Sequence, residues 1–208
     1  VESRQYFETA APQWDHLRKG FFSEAVREKA FGAAGVLPGR IAADIGAGTG
    51  FVTEGLLQRG LRVIAVDRSE AMIAEMGKKF GTDASVDYRI GEAESLPLPD
   101  ESVDYAFGNM YLHHVESPAA AIREMARILR PGGRLVITDL DRHELDFLRT
   151  EHCDRWMGFD RPDVARWFQE AGLAEVTIDC VGENCCAASR SGCGEAAVSI
   201  FVASGRKS

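Results

Sequence analysis

No stretch of these 208 residues is long and uncharged enough to cross a bilayer, because every apolar run falls far short of the ~20 residues a membrane helix needs. Positive charge is also in short supply. Twenty-four Lys and Arg stand against 32 Asp and Glu, which leaves a net charge of −8. A negative surface repels a phosphate backbone, so a nucleic-acid partner is disfavoured. Cysteine is scarce: the five are an odd number, and four crowd between Cys180 and Cys193. That is not the pattern of a disulfide-stapled secreted protein, and it points to a reducing, cytoplasmic setting. The opening segment, Val1 to Lys19, lacks the uncharged core of a signal peptide. There is no internal repeat, low-complexity tract or Pro/Ser-rich linker to mark a second domain, so residues 1–208 are expected to form one. What is present is an ordinary globular mix, 45% hydrophobic and 27% charged. At this length folding hides roughly 70% of the extended chain's surface, so neither disulfides nor a metal are needed for stability.

Strand-like and helix-like segments alternate. The spacing predicts amphipathic helices over about 3–19 and 23–34, then a break at Pro38-Gly39. Short apolar runs at 41–45, 62–66, 86–90, 103–107 and 134–138 read as strands, with helical periods between most of them. Pro118 opens a helix whose Ile122, Met125, Ala126 and Leu129 share a face, and Pro131-Gly132-Gly133 ends it. Helices are expected near 143–150 and 161–171. Two strands, 176–181 and 197–203, then flank about 15 residues without helical period, a terminal β-hairpin. Repeated βα units imply a parallel sheet covered on both faces.

The turn Asp44-Ile45-Gly46-Ala47-Gly48-Thr49-Gly50-Phe51 is the most informative stretch. Glycines let the backbone approach a ligand, and the helix that follows offers free N–H groups. The third glycine comes one residue too early for a dinucleotide fingerprint, which disfavours an NAD-linked oxidoreductase. No Lys closes the loop, which excludes a P-loop. Asp44 would repel a phosphate but suits an ammonium or sulfonium group. Asp67, ending the second strand, is placed to accept ribose hydroxyls. Gly91-Glu92-Ala93-Glu94 offers acidic and backbone groups for an adenine edge. A cationic ligand carrying an adenosine fits these features better than a dinucleotide does.

Taken with Asn109-Met-Tyr-Leu-His-His114 and Leu129-Arg-Pro-Gly-Gly-Arg-Leu135, these motifs resemble those of class I S-adenosylmethionine-dependent methyltransferases, in the small-molecule group related to quinone methyltransferases. The resemblance covers about residues 5–140. It implies an α/β, Rossmann-like methyltransferase fold, a seven-stranded sheet of order 3-2-1-4-5-7-6 with strand 7 antiparallel. It further implies an N-terminal helical lid at 1–36, a cofactor-binding core at 37–140, and substrate-side elements with the β-hairpin at 141–208. The cofactor would be S-adenosyl-L-methionine, with S-adenosyl-L-homocysteine as product. Asp44, Gly46, Ala47 and Gly48 would hold its methionyl part, Asp67 the ribose, and Arg68 and Met72 would flank the adenine. Glu92, standing where the family usually has Asp, and Ala93 would meet the adenine edge. Asn109 and Met110 would lie beside the methionyl amine, with His114 near the cofactor. Tyr6 and Trp14 resemble lid residues, although aromatics at helical spacing are also common core residues.

Methyl transfer from a sulfonium is an in-line displacement, in which proximity and alignment carry most of the catalysis. It requires no metal. A hydroxyl, acid or amine acceptor gains from a general base, and Asp139 and His143, after the fifth strand, are the candidates. The acceptor is expected to be a small molecule, with no nucleic-acid or membrane partner; oligomeric state has no signature in the sequence. A second reading comes from the thiols. Cys185, Cys186 and Cys193 fall in the loop joining strands 6 and 7, on the cofactor edge, with Cys180 just before it on strand 6, and several thiols there would suit a soft metal or trivalent arsenic. The likeness to arsenite methyltransferases is partial, and buried free Cys is common as a packing residue. On this reading Cys185 and Cys186 would touch the acceptor of an arsenic-type methyltransferase or sensor.

Overall fold

A computed structural model describes residues 2–188 and 195–208. Cys193, one of the thiols singled out above, lies outside them. The helices are α1 (Glu2–Ala10), α2 (Trp14–Phe21), α3 (Ala25–Ala34), α4 (Phe51–Gln58), α5 (Glu70–Phe80), α6 (Pro118–Ile128), α7 (Asp146–Glu151) and α8 (Arg161–Glu170). The strands are β1 (Ile41–Ile45), β2 (Arg62–Asp67), β3 (Val86–Ile90), β4 (Val103–Asn109), β5 (Leu129–Leu140), β6 (Leu173–Ala188) and β7 (Glu195–Lys207). They form one sheet of order β3-β2-β1-β4-β5-β7-β6. The first five strands pair in parallel, and β7 runs antiparallel to both β5 and β6. Both order and direction are those implied by the resemblance.

Successive residues of a strand point to opposite faces, and both faces are dry here. Ala42, Phe107, Val136 and Val202 pack with α3 and α4 on one side. Ala43, Ala106, Leu135 and Ala203 pack with α6 and α8 on the other. Ser117 caps α6 by accepting a hydrogen bond from the Ala120 N–H at 3.4 Å, with Pro118 in the first turn, where its missing N–H costs nothing. Ser69 caps α5 in the same way, from the Met72 N–H at 3.1 Å. The strand order reverses between β1 and β4, which opens a crevice at their carboxyl ends.

Three elements differ from the sequence reading. The helix expected over 3–19 is broken by a 3₁₀ turn at Ala11–Gln13, because Pro12 cannot donate in the middle of a continuous helix. Pro131-Gly132-Gly133 lies within β5 rather than before it. Leu129 already pairs with Val103, and Gly132, at φ 80°, takes up a register shift. The terminal strands are much longer than expected, with β6 extending to Ala188. Their pairing shifts between Cys180 and Asn184, beside Gly182 at φ 87°, which scrambles the alternation that would have revealed the strand.

Candidate active site

The loop after β1 turns back on the end of β2. The N–H groups of Gly46 and Ala47 donate to the Val66 carbonyl, and that of Gly48 donates to Asp67 Oδ2 at 2.8 Å. Gly46 has φ 68°, and the ring of Tyr111 lies where its Cβ would stand, 2.2 Å from Tyr111 Cγ. Gly50, at φ 91°, is pressed by Phe80 of α5, which explains why the third glycine falls there and not one residue later. Asp44 accepts hydrogen bonds from Thr53 N at 2.9 Å and Thr53 Oγ1 at 2.7 Å. Burial, opposed only partly by Thr53 and aggravated by the Asp67 charge, pushes Asp44 up to about 7. Asp67 is raised as well, by burial, although it accepts from the Ser69 and Gly48 N–H groups. Two buried acids are thus under-compensated side by side, an electrostatic invitation to a cation.

Asp44 and Asp67 open into a cavity that is partly open to solvent. Gly46, Ala47, Gly48, Arg68, Met72, Asn109, Met110 and His114 also line it, as do Tyr6 and Trp14. Glu92 and Ala93 do not. Ala93 turns into the core beside Leu96 and Leu98, and Glu92 faces solvent in a local bridge with Ser95. Nearby Glu94 is occupied in holding the Glu116 and Ser117 N–H groups at the start of α6.

The N-terminal helices bring aromatic edges to the cavity. Phe7 meets Tyr6, Trp14 and His114 edge-to-face, at centroid distances of 5.2, 5.3 and 4.9 Å. Arg18, buried in α2, lies over the Phe51 ring at 4.0 Å.

At the far end of β4 the backbone kinks at Met110, a non-glycine residue at φ 50°. The kink delivers Tyr111, and then the 3₁₀ turn Leu112–His114, into the cavity. His113 Nδ1 is 2.7 Å from Asp139 Oδ1, and the Asp139 carboxylate also accepts from the Leu140 N–H. Asp139 is completely enclosed and does not reach the cavity; it acts on the site through His113. Burial pulls His113 down, but Asp139 and Asp154 outweigh it and hold it above the ordinary imidazole range. Burial and the neighbouring His113 drive His114 well below that range. His143 is elsewhere, lining a separate hollow with Trp156, Met157 and Trp167 and accepting from the Leu145 N–H. The structure therefore does not bring Asp139 and His143 together. His113, Asp154 and Tyr111 were missed as functional residues. The signal available in the sequence was an acid at the end of β5 with histidines just after β4.

The thiols diverge. Cys185 is buried against Phe22, Leu148 and Ile200, and burial pushes it up to about 12. Cys180 and Cys186 are exposed, Cys186 on the opposite face of β6 from Cys185. Among the described residues there is no thiol cluster, because these positions lie on an extended strand rather than in a loop that could fold them inward. Cys185 alone reaches the cavity.

Residues 43–137 match the methyltransferase domain family. Together with the sheet order and the acid-flanked glycine loop, that match gives residues 43–137 a methyltransferase domain of the class I, Rossmann-like fold. A demethylmenaquinone methyltransferase of Renibacterium salmoninarum is 34% identical over 125 residues, covering 60% of this chain and 52% of the relative. A malonyl-[acyl-carrier protein] O-methyltransferase of Yersinia pestis is 36% identical over 110 residues, 53% of this chain and 40% of the relative. The chain thus spans about half or less of the length of these relatives. Among solved structures, Haemonchus contortus phosphoethanolamine N-methyltransferase 2 in complex with S-adenosyl-L-methionine shares the fold. Its TM-score is 0.71 at 16% identity, covering 87% of this chain and 52% of that one.

Proposed function

We propose that this domain transfers the methyl group of S-adenosylmethionine to a nucleophilic atom of a small, largely apolar molecule enclosed beneath the N-terminal helices. One observation carries the reading. A single cavity runs from the buried acids Asp44 and Asp67 to a wall made by Trp14, Phe21, Leu148 and Cys185. The residues fit the cofactor: two under-compensated carboxylates face a ligand that is cationic at its amine and sulfonium, and the Gly46–Gly48 loop lines the same cavity. When bound, S-adenosylmethionine supplies an electrophilic methyl group. Asp44 holds the ligand's positive charge, Asp67 the ribose, and Asn109 and Met110 border the methionyl end. The aromatic lid excludes water and orients the acceptor, which is where most of the rate of an in-line displacement arises. His114, a neutral imidazole on the acceptor side, is the group toward which an acceptor proton would leave. The small-molecule acceptor accords with the largely apolar cavity and the −8 charge.

The test is calorimetric titration with S-adenosylhomocysteine, followed by turnover of radiolabelled methyl donor against quinols, small acids, amines and thiols. Binding of the product and label transfer to one acceptor class are expected. No binding of either donor or product would overturn the reading.

A further inference from the structure

The residues behind the acceptor end of the cavity have a use that methyl transfer does not require. His113, His114 and Asp154 each offer one ligand atom, and these atoms all lie within 4.8 Å of one another, with His114 Nδ1 also 3.4 Å from the Cys153 carbonyl, a contact it would give up to an ion. We propose that they form a site for a divalent transition metal of the zinc class, at the inner wall of the acceptor pocket.

Four observations carry it. First, Asp154 is 5% exposed, yet among the described residues the basic groups paired with it are ring nitrogens at 3.7 Å (His113 Nε2) and 3.9 Å (His114 Nδ1). Both distances are too long for hydrogen bonds, and both fit groups that a central ion would draw together at about 2 Å per bond. Burying a carboxylate without close partners is costly, and a cation would offset the cost. Second, His113 is already oriented. Its Nδ1 is engaged by Asp139 at 2.7 Å, leaving Nε2 for the metal, the carboxylate–histidine–metal relay by which such ligands are fixed. Third, the two segments are clamped together, since the Arg155 and Trp156 N–H groups both donate to the His113 carbonyl at 3.0 Å. The Trp156 indole donates to the Val115 carbonyl, also at 3.0 Å. A site pinned on both sides needs little ordering to bind. Fourth, all three ligands line the main cavity, so a coordination position faces the acceptor pocket, as in catalytic rather than structural zinc sites.

Two imidazoles and one carboxylate suit zinc, cobalt or nickel better than magnesium or calcium, which prefer oxygen. Binding through Nε2 requires His113 to release the proton there to solvent, while the Nδ1 proton stays with Asp139. An acceptor oxygen or sulfur on the ion would be held as its anion next to the methyl donor. That role rests on the methyltransferase reading; the metal binding itself does not.

The experiment uses the full chain, stripped with chelator and free of cofactor. Zinc binding is measured by calorimetry, and Co(II) by its visible d–d bands. To set aside surface thiols, the background carries Cys180→Ser and Cys186→Ser. One equivalent of metal is expected in that background, with Co(II) bands of a nitrogen/oxygen site and no thiolate charge-transfer band. His114→Gln and Asp154→Asn should each weaken binding by at least tenfold, and Asp139→Asn by 10–100-fold with shifted Co(II) bands. Circular dichroism confirms that each variant is folded. No stoichiometric uptake would overturn the proposal, as would uptake lost with the two surface thiols or unaffected in folded Asp154→Asn protein. Homocysteine-product titration in the same samples keeps the two readings apart. Metal uptake without product binding would sink the methyltransferase reading and leave the metal site standing.

Discussion

Thr49 Oγ1 donates a hydrogen bond to Asp15 Oδ1 at 2.6 Å, so helix α2, part of the proposed lid, is tied directly to the glycine loop. Lys79 of α5 pairs with the same carboxylate and donates to the Thr49 carbonyl. Burial opposes ionisation of Asp15, but Lys79 and Thr49 hold its carboxyl below the usual range. Breaking this link should loosen the lid without unfolding the sheet. Asp15→Ala is expected to cost about 1 kcal/mol at this partly exposed site. It should speed both proteolytic cleavage before Ser23 and release of S-adenosylhomocysteine by several-fold. Unchanged cleavage and release rates would show that the lid is held by its aromatic contacts alone.

Asp67 has two tasks, and one substitution separates them. Asp67→Asn keeps an oxygen to accept from an N–H but loses the charge and one acceptor. Hydrogen bonds to charged groups are worth roughly 1.5–3 kcal/mol, so affinity for S-adenosylhomocysteine should fall about 10–100-fold. Thermal stability should change little, because the N–H donors of Gly48 and Ser69 can still be served in part. Unaltered affinity by calorimetry would remove the ribose from Asp67.

The raised Asp44 gives a signed pH dependence. In the ligand-free protein its carboxyl titrates at about 7, pushed up by burial and by Asp67 and pulled back by Thr53. Above that pH the carboxylate is charged and ready for the ligand's ammonium group; below it a proton must first leave. Product affinity should therefore weaken as pH falls from 8 to 6, by up to tenfold per unit at the low end. Asp44→Asn should bind more weakly and show a flatter profile. A wild-type profile that is flat over this range would place the ligand's charge elsewhere.

Gly46 is the position where a methyl group does most harm. A Cβ there would strike the Tyr111 ring, and φ 68° is strained for any L side chain. Gly46→Ala is expected to lower stability by about 1–3 kcal/mol, or roughly 2–10 °C in melting temperature. Tyr111→Ala on the same background should recover part of that loss, measured as a double-mutant cycle. Strictly additive losses would mean that the strain is in the backbone and not in the contact.

Thiol reactivity should follow the two faces of β6. Cys180 and Cys186 are exposed, whereas Cys185 is buried with its thiol pushed up to about 12, so only a trace of thiolate exists at neutral pH. Alkylation followed by peptide mass spectrometry should label Cys180 and Cys186 at least tenfold faster than Cys185. Equal rates would mean that β6 opens readily in solution.

Local sequence was enough to specify the alternating strands and helices, and the glycine turn with an acid on either side of it. A buried parallel strand must be nearly all apolar, and a backbone passing close to a ligand must be glycine. Asp44, Gly46, Gly48, Asp67, Asn109 and Met110 line one cavity, as the resemblance implied. Tertiary structure decided what depends on partners distant along the chain. Ala93 is spaced as a ligand contact but turns into the core, because Leu96 and Leu98 carry that loop inward. The long hairpin was hidden by its pairing shifts, so Cys185 and Cys186 read as loop thiols, whereas on an extended strand alternate side chains must point apart. The convergence of His113, Asp139 and Asp154 was equally hidden. It depends on β4 and β5 lying side by side and on the loop after α7 clamping to the His113 carbonyl, and no local pattern records such contacts.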